Sequence, residues 1–132
     1  MAVAIPDKLA DLLTFDKKAF ANLALTLRDS TPQVTPVWFD YDGEHIIVNS
    51  ARGRVKDRVL SRKPAVALAI SDPADPYRYI QIRGRVVDVT EDGARDMIDH
   101  LSEKYLGKPY PFYHGETRVT YRIVPEHVSA MD

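Results

Sequence analysis

From Tyr77 to Thr90 the chain reads YRYIQIRGRVVDVT, a run rich in β-branched and aromatic residues with no proline and one glycine, Gly84, near its middle. Such a run is a strand, and it exceeds the usual strand length. A glycine inside a strand marks a bulge or a place where another backbone comes close, as the corner of a barrel requires. A sheet that bends back on itself is therefore the first expectation.

The remaining segments supply its other strands. Ala21 to Arg28 alternates Leu23, Leu25 and Leu27 against Ala24, Thr26 and Arg28, the period of a half-buried strand. After the turn Asp29-Ser30-Thr31-Pro32, Gln33 to Asp40 is a second strand, and Asp42-Gly43 is a hairpin signal leading into Glu44 to Ser50. These three are expected to form an antiparallel meander. Pro36 cannot donate to a ladder, which places its strand at an edge or a bulge. Free backbone groups there suit either a ligand or a plain protective edge. Ala65 to Ile70 is a further strand, and Arg118 to Val124 and His127 to Met131 are closing strands around Pro125. Ser71 to Pro76 is turn-rich, and Asp72 and Asp75 within it are turn formers rather than a catalytic carboxylate pair.

Two helices flank these strands. Pro6 to Leu13 is short and amphipathic, with Leu9, Leu12 and Leu13 on one side and proline at its first position. Glu91 to Leu106 is the main helix, burying Ala94, Met97, Ile98 and Leu101 and ending at Gly107. The loop Lys108 to Gly115 sets Tyr110, Phe112 and Tyr113 among prolines. Rigid aromatics of this kind line a pocket or an interface, or pack on the barrel itself. The expected fold is mostly β: a small barrel of about six to seven antiparallel strands with two or three helices, in a single domain over residues 1–132.

Composition narrows the function. A net charge of −1 argues against a general nucleic-acid binder. With no cysteine, disulfides and thiolate chemistry are excluded. No apolar run approaches the roughly 20 residues of a membrane span, and no signal peptide is recognised, so a cytoplasmic protein without membrane partners is expected. His45, His100, His114 and His127 lack the close spacing of common metal motifs, so no metal site is expected. Nucleophile-elbow, Walker and dinucleotide fingerprints are absent, and no acid/base pair announces itself.

Between Ile46 and Ile70 lies the segment with chemical promise. Arg52, Arg54, Lys56, Arg58, Arg62 and Lys63 gather there against one acid, Asp57. Val55, Val59 and Leu60 recur at helical spacing, so Arg54 to Lys63 is expected to be a short helix, with Ser50 at the capping position and Gly53 steepening its entry. Arg54 and Lys56 would occupy its opening turn, where free N–H groups and the dipole favour an anion such as phosphate. A solvated basic face is the plainer alternative. An anion cradle with little catalytic machinery points to chemistry supplied by a cofactor, with no catalytic side chain assigned.

Asn49-Ser50, Arg54-x-Lys56 and the RGRV strand Arg83 to Val86 together resemble the split β-barrel flavin-binding superfamily, which includes pyridoxamine 5′-phosphate oxidases and flavin/deazaflavin oxidoreductases. PADPYRYIQIRGRV and KPYPFYHG are similar to segments of its F420-dependent group, and the likeness covers nearly the whole chain. The resemblance implies an FMN-binding split-barrel fold and a homodimer with two cofactor sites at the subunit interface. It assigns Arg54 and Lys56 to the cofactor phosphate, and Thr35, Pro36, Val37 and Trp38 to the strand beside the ring. Asn49 and Ser50 fall near the ring and ribityl chain, and Tyr79 is an aromatic approaching from the partner subunit. Tyr110, Phe112 and Tyr113 are candidate walls of a substrate pocket. The longer extensions that complete the substrate site of true pyridoxamine-phosphate oxidases are missing, so that activity is not expected. The implied function is hydride transfer from reduced coenzyme F420 to a conjugated small molecule. The alternatives are an FMN oxidoreductase of the same fold and a non-catalytic deazaflavin-binding protein.

Overall fold

The computed structural model describes residues 3–131. The strands are Ala21–Thr26 (β1), Pro32–Val37 (β2), Asp40–Tyr41 (β3), Ile46–Ala51 (β4), Ala65–Asp72 (β5), Asp75–Thr90 (β6) and Arg118–Met131 (β7). Val55–Leu60 (α1) and Ala94–Leu106 (α2) are α-helices, and Asp7–Leu13 is a 3-10 helix. All strand pairs are antiparallel, in the order β2-β1-β5-β6-β7-β4-β3. The fold is mostly β, a curled sheet of the split-barrel type.

Its inner face is a continuous apolar layer. Leu23 and Leu25 of β1, Leu68 and Ile70 of β5, Ile80 and Ile82 of β6, Ile46 and Val48 of β4, and Tyr121 and Ile123 of β7 are all buried in it. Leu9 and Leu12 of the 3-10 helix plug one end. Burial of each such side chain stabilises the fold by roughly 1.5–3 kcal/mol before conformational entropy is counted.

The sheet bends where Gly84 predicts. The β6–β7 register shifts between Arg83 and Gly84, and a Cβ on Gly84 would collide with the Val124 carbonyl oxygen. Pro125 pairs opposite Gly84. A ladder already interrupted at the bulge tolerates a residue without an N–H, so β7 runs unbroken from Arg118 to Met131 rather than as two strands.

The expected meander is not what forms. β1 and β2 are a hairpin, and β2 is an edge strand as Pro36 requires. The chain then breaks at Trp38-Phe39 and crosses to the opposite end of the sheet, where β3 pairs with β4 and β4 with β7. Helix α2 enforces the break: buried Phe39 accepts a hydrogen bond from Lys104 Nζ at 2.8 Å and donates its N–H to the Tyr105 hydroxyl at 3.3 Å.

The helices also differ from expectation in detail. Pro6 caps the first helix from outside rather than starting it, and the turns are 3-10. α1 is six residues long and capped by Arg54, with no side-chain hydrogen bond at its cap. Ser50 is instead a buried member of β4. Val55 is 47% exposed, so the inner face of α1 is made by Asp57, Val59 and Leu60. α2 starts after Gly93 and ends at Gly107, both left-handed. Asp72 and Asp75 do form turns, accepting the Ala74 and Tyr77 N–H groups. Asp72 also joins Asp11, Lys17 and Arg78 in an ion cluster that ties the first helix to the β5–β6 hairpin.

Candidate functional site

β4 ends in a turn built around one buried carboxylate. Gly53, at φ 88°, reverses the chain into α1. Asp57 accepts hydrogen bonds from the Gly53 N–H at 2.9 Å, the Ser61 hydroxyl at 2.9 Å, Arg52 Nη1 at 3.2 Å and the Tyr121 hydroxyl at 2.5 Å. Burial alone would raise the Asp57 pKa, but the donors from Tyr121, Gly53 and Ser61 and the nearby Arg52 charge outweigh it and hold the group below its usual range. Burial, then the hydrogen bond to that carboxylate, raises the Tyr121 phenol. Arg52 is held on two further sides, with Nε bonded to Glu91 at 2.7 Å and Nη1 to Ser61 at 3.1 Å.

The same turn turns Arg54 and Lys56 towards a cavity of about 390 Å³. Among the described residues neither side chain has a hydrogen-bond or ion-pair partner. Gln33, Pro36, Val37 and Trp38 form one wall, and Asn49 and Ser50 line the cavity from β4. Ile98 and Leu101 of α2 supply apolar surface, and Tyr110, Phe112 and Phe20 add aromatic faces.

Ring contacts hold this aromatic side in place. Trp38 stacks on Tyr105 with centroids 5.3 Å apart and planes 9° from parallel. It meets Tyr110 edge-on at 6.3 Å, and Tyr110 meets Phe112 at 5.6 Å. The Tyr110 N–H bonds Asp99, which is paired with Arg95 at 2.6 Å. Arg118 also lines the cavity, with its guanidinium 5.2 Å over the Tyr110 ring. Its Nε donates to Asn49 Oδ1 at 2.9 Å and its Nη1 to Glu116 at 3.0 Å. Glu116, although burial opposes its charge, is held down at about 2 by the His114 and its own N–H groups and by Arg118.

A second cavity of about 500 Å³ adjoins α1 and shares Val55 with the first. Arg28, Arg58 and Arg62 line it with Leu27, Asp29 and Val59. Arg58 is folded back onto the Gly53 carbonyl through Nε and Nη2.

A profile of the pyridoxamine 5′-phosphate oxidase family matches residues 5–132. The chain belongs to that family. Among solved structures it is similar to an F420 reductase, at 31% identity and a TM-score of 0.83 over 95% of this chain and 98% of that one. A conserved hypothetical protein from Mycobacterium tuberculosis shares 21% identity, with a TM-score of 0.76 over 99% of this chain and 86% of the other. An FAD and heme binding protein from Mycobacterium smegmatis shares 18%, with a TM-score of 0.68 over 98% of this chain and 71% of the other. These last two carry the fold alone. The family is of oxidoreductase type, and its barrel is a flavin-binding one.

Of the residues singled out from the sequence, Pro36, Val37, Trp38, Asn49, Ser50, Arg54, Lys56, Tyr110 and Phe112 meet at one cavity of this pyridoxamine-phosphate-oxidase fold. Thr35, Tyr79 and Tyr113 do not line it. Thr35 pairs with Leu23, Tyr79 lies on β6 opposite Ser71 and Met131, and Tyr113 packs under Arg95 at 4.0 Å. Sequence reasoning missed Phe20, Gln33, Ile98, Leu101 and Arg118. Ile98 and Leu101 carry only the helical core signal, whereas Arg118, a cation at the mouth of an apolar strand, was a legible anomaly. α1 is too short for a strong dipole, so an anion here would be held by side chains rather than by the helix terminus.

Proposed function

We propose that this protein is a coenzyme F420-dependent oxidoreductase that delivers a hydride from the reduced deazaflavin to a conjugated small molecule. One observation carries the reading: Arg54 and Lys56, both without partners among the described residues, line one cavity together with the aromatic and apolar side chains of Trp38, Ile98, Leu101, Tyr110 and Phe112. A dianionic phosphate attached to a flat, largely apolar ring system suits that combination. Of the relatives above, the one at 31% identity is an F420 reductase.

The bound deazaflavin would supply the hydride chemistry, and no side-chain nucleophile is needed. The chain's own residues bind, orient and exclude water. Arg54 and Lys56 hold the phosphate. The Pro36 to Trp38 backbone and the Trp38 ring, braced by Tyr105, fix the plane of the ring system. Tyr110 and Phe112 close over the space left for a planar substrate. The anionic polyglutamate tail would pass Val55 towards Arg58, Arg62 and Arg28, because Arg52 is held by Glu91 and Asp57. Tyr79, outside the cavity of its own chain, would serve the site of a second copy in a homodimer.

Titration with F420 and FMN side by side, followed by fluorescence, tests the assignment. Tight F420 binding followed by reduction of an enone or quinone panel is the expected result. Preference for FMN replaces it with a flavin oxidoreductase, and F420 binding without any turnover replaces it with a carrier. A tail-truncated cofactor that binds as tightly as the intact one removes the tail placement.

A further inference from the structure

The sequence placed Asn49 at the cofactor ring, but its side-chain amide is otherwise engaged. Nδ2 donates to the Ala94 carbonyl at 3.0 Å and to Thr120 Oγ1 at 3.2 Å, and Oδ1 accepts from Arg118. Asn49 therefore holds Arg118 rather than presenting free donors to a ligand.

Arg118 is the opposite case. Its side chain is 4% exposed, and it lines the cavity. Nε and Nη1 are bonded to Asn49 and Glu116, whereas Nη2 has no partner among the described residues. Among those residues the buried, unpartnered polar side-chain atoms comprise only Ser102 Oγ. Nη2 is thus accessible, and in a side chain so enclosed its open surface faces the cavity. A guanidinium fixed on two sides with one free edge is a preorganised donor.

On the reading above that the cavity holds a flavin-type ring, we propose that Arg118 is a specificity-determining residue that donates from Nη2 to a carbonyl oxygen on the pyrimidinedione edge of that ring. The reading gives Arg54 and Lys56 to the phosphate, and Arg118, with its guanidinium over the Tyr110 ring, lies beside an aromatic face of the same cavity. Glu116 offsets the guanidinium charge, so the ligand group it suits is a neutral or partly anionic oxygen rather than a second phosphate. Reduction places negative charge on the pyrimidine half of a deprotonated flavin-type ring, and a cationic donor there stabilises the reduced form over the oxidised one.

The test compares wild type with Arg118→Lys, Arg118→Met and the double variant Arg118→Met/Glu116→Gln. The double variant removes both charges, so it still reports if Arg118→Met, which strands Glu116, fails to fold. Binding of F420 and FMN is titrated by fluorescence, and the midpoint potential of each bound cofactor is measured. The Met-containing proteins should bind about tenfold to a hundredfold more weakly, and their bound cofactors should have lower potentials. Arg118→Lys should bind in between. Folded variants that match wild type in affinity and potential overturn the role of Arg118 while leaving the cofactor reading intact. Wild type that binds neither cofactor overturns the cofactor reading itself, and this inference with it.

Discussion

The Tyr121 hydroxyl, near the start of the last strand, donates a buried hydrogen bond to Asp57 in a helix 64 residues earlier. That contact joins the core of β7 to the turn that aims Arg54 and Lys56. Tyr121→Phe should lower stability by about 1.5–3 kcal/mol, the range for a hydrogen bond to a charged group. Asp57→Asn should cost at least as much, because its four donors lose the carboxylate they converge on. The folded pKa of Asp57 is depressed, so its contribution is complete above the unfolded value of about 3.9 and is lost as pH falls through the lower folded value. Urea midpoints of wild type and Asp57→Asn should converge below about pH 4. A gap that persists there would show that the charge is not what matters.

Lys104 gives a pH dependence of the same sign in an alkaline window. It is fully buried, bonds Phe39 through Nζ and lies 4.2 Å from the Phe39 ring centroid. Burial lowers its pKa from 10.5 to about 8. The unfolded chain therefore binds more protons between those values, and the stability of wild type relative to Lys104→Met should rise across that window, by about 3 kcal/mol at most. Denaturant unfolding of both proteins at pH 7.5, 9 and 10.5 measures the trend. A pH-independent difference would mean that the amine is solvated in the folded state.

Gly84→Ala should destabilise the barrel by about 2 kcal/mol or more, because the new Cβ would collide with the Val124 backbone oxygen rather than with a movable side chain. Gly43→Ala meets no atom within 4 Å and carries only the cost of its positive φ. Thermal unfolding of the pair should show the larger loss at Gly84. Equal losses would argue against close approach at the bulge.

Arg54→Ala and Lys56→Ala each remove a charge-assisted hydrogen bond to the proposed phosphate and should each weaken cofactor binding by about 1.5–3 kcal/mol. Stability should hardly change, since neither has a side-chain partner among the described residues to lose. Isothermal titration with F420 beside thermal unfolding separates the two effects. Unchanged affinity in the double variant would remove these cations from the site.

Strands, helix faces and turns were legible because each is set by residues close together in the chain. Leucine alternation in β1, Gly84 in β6, Gly107 after α2 and Asp42-Gly43 before β4 act over a few bonds, and they appear as read. The gathering of cations from Arg52 to Lys63 against the one acid Asp57 was also legible. What local pattern could not decide was strand order, because an alternating strand is equally content beside any neighbour that covers its apolar face. The crossing after Trp38 depends on Lys104 and Tyr105, and the burial of Asp57 and Arg118 depends on Tyr121 and Asn49. Sequence determined which segments are strands and where positive charge collects. Only closure of the sheet, by contacts spanning most of the chain, decided which of those residues share a cavity.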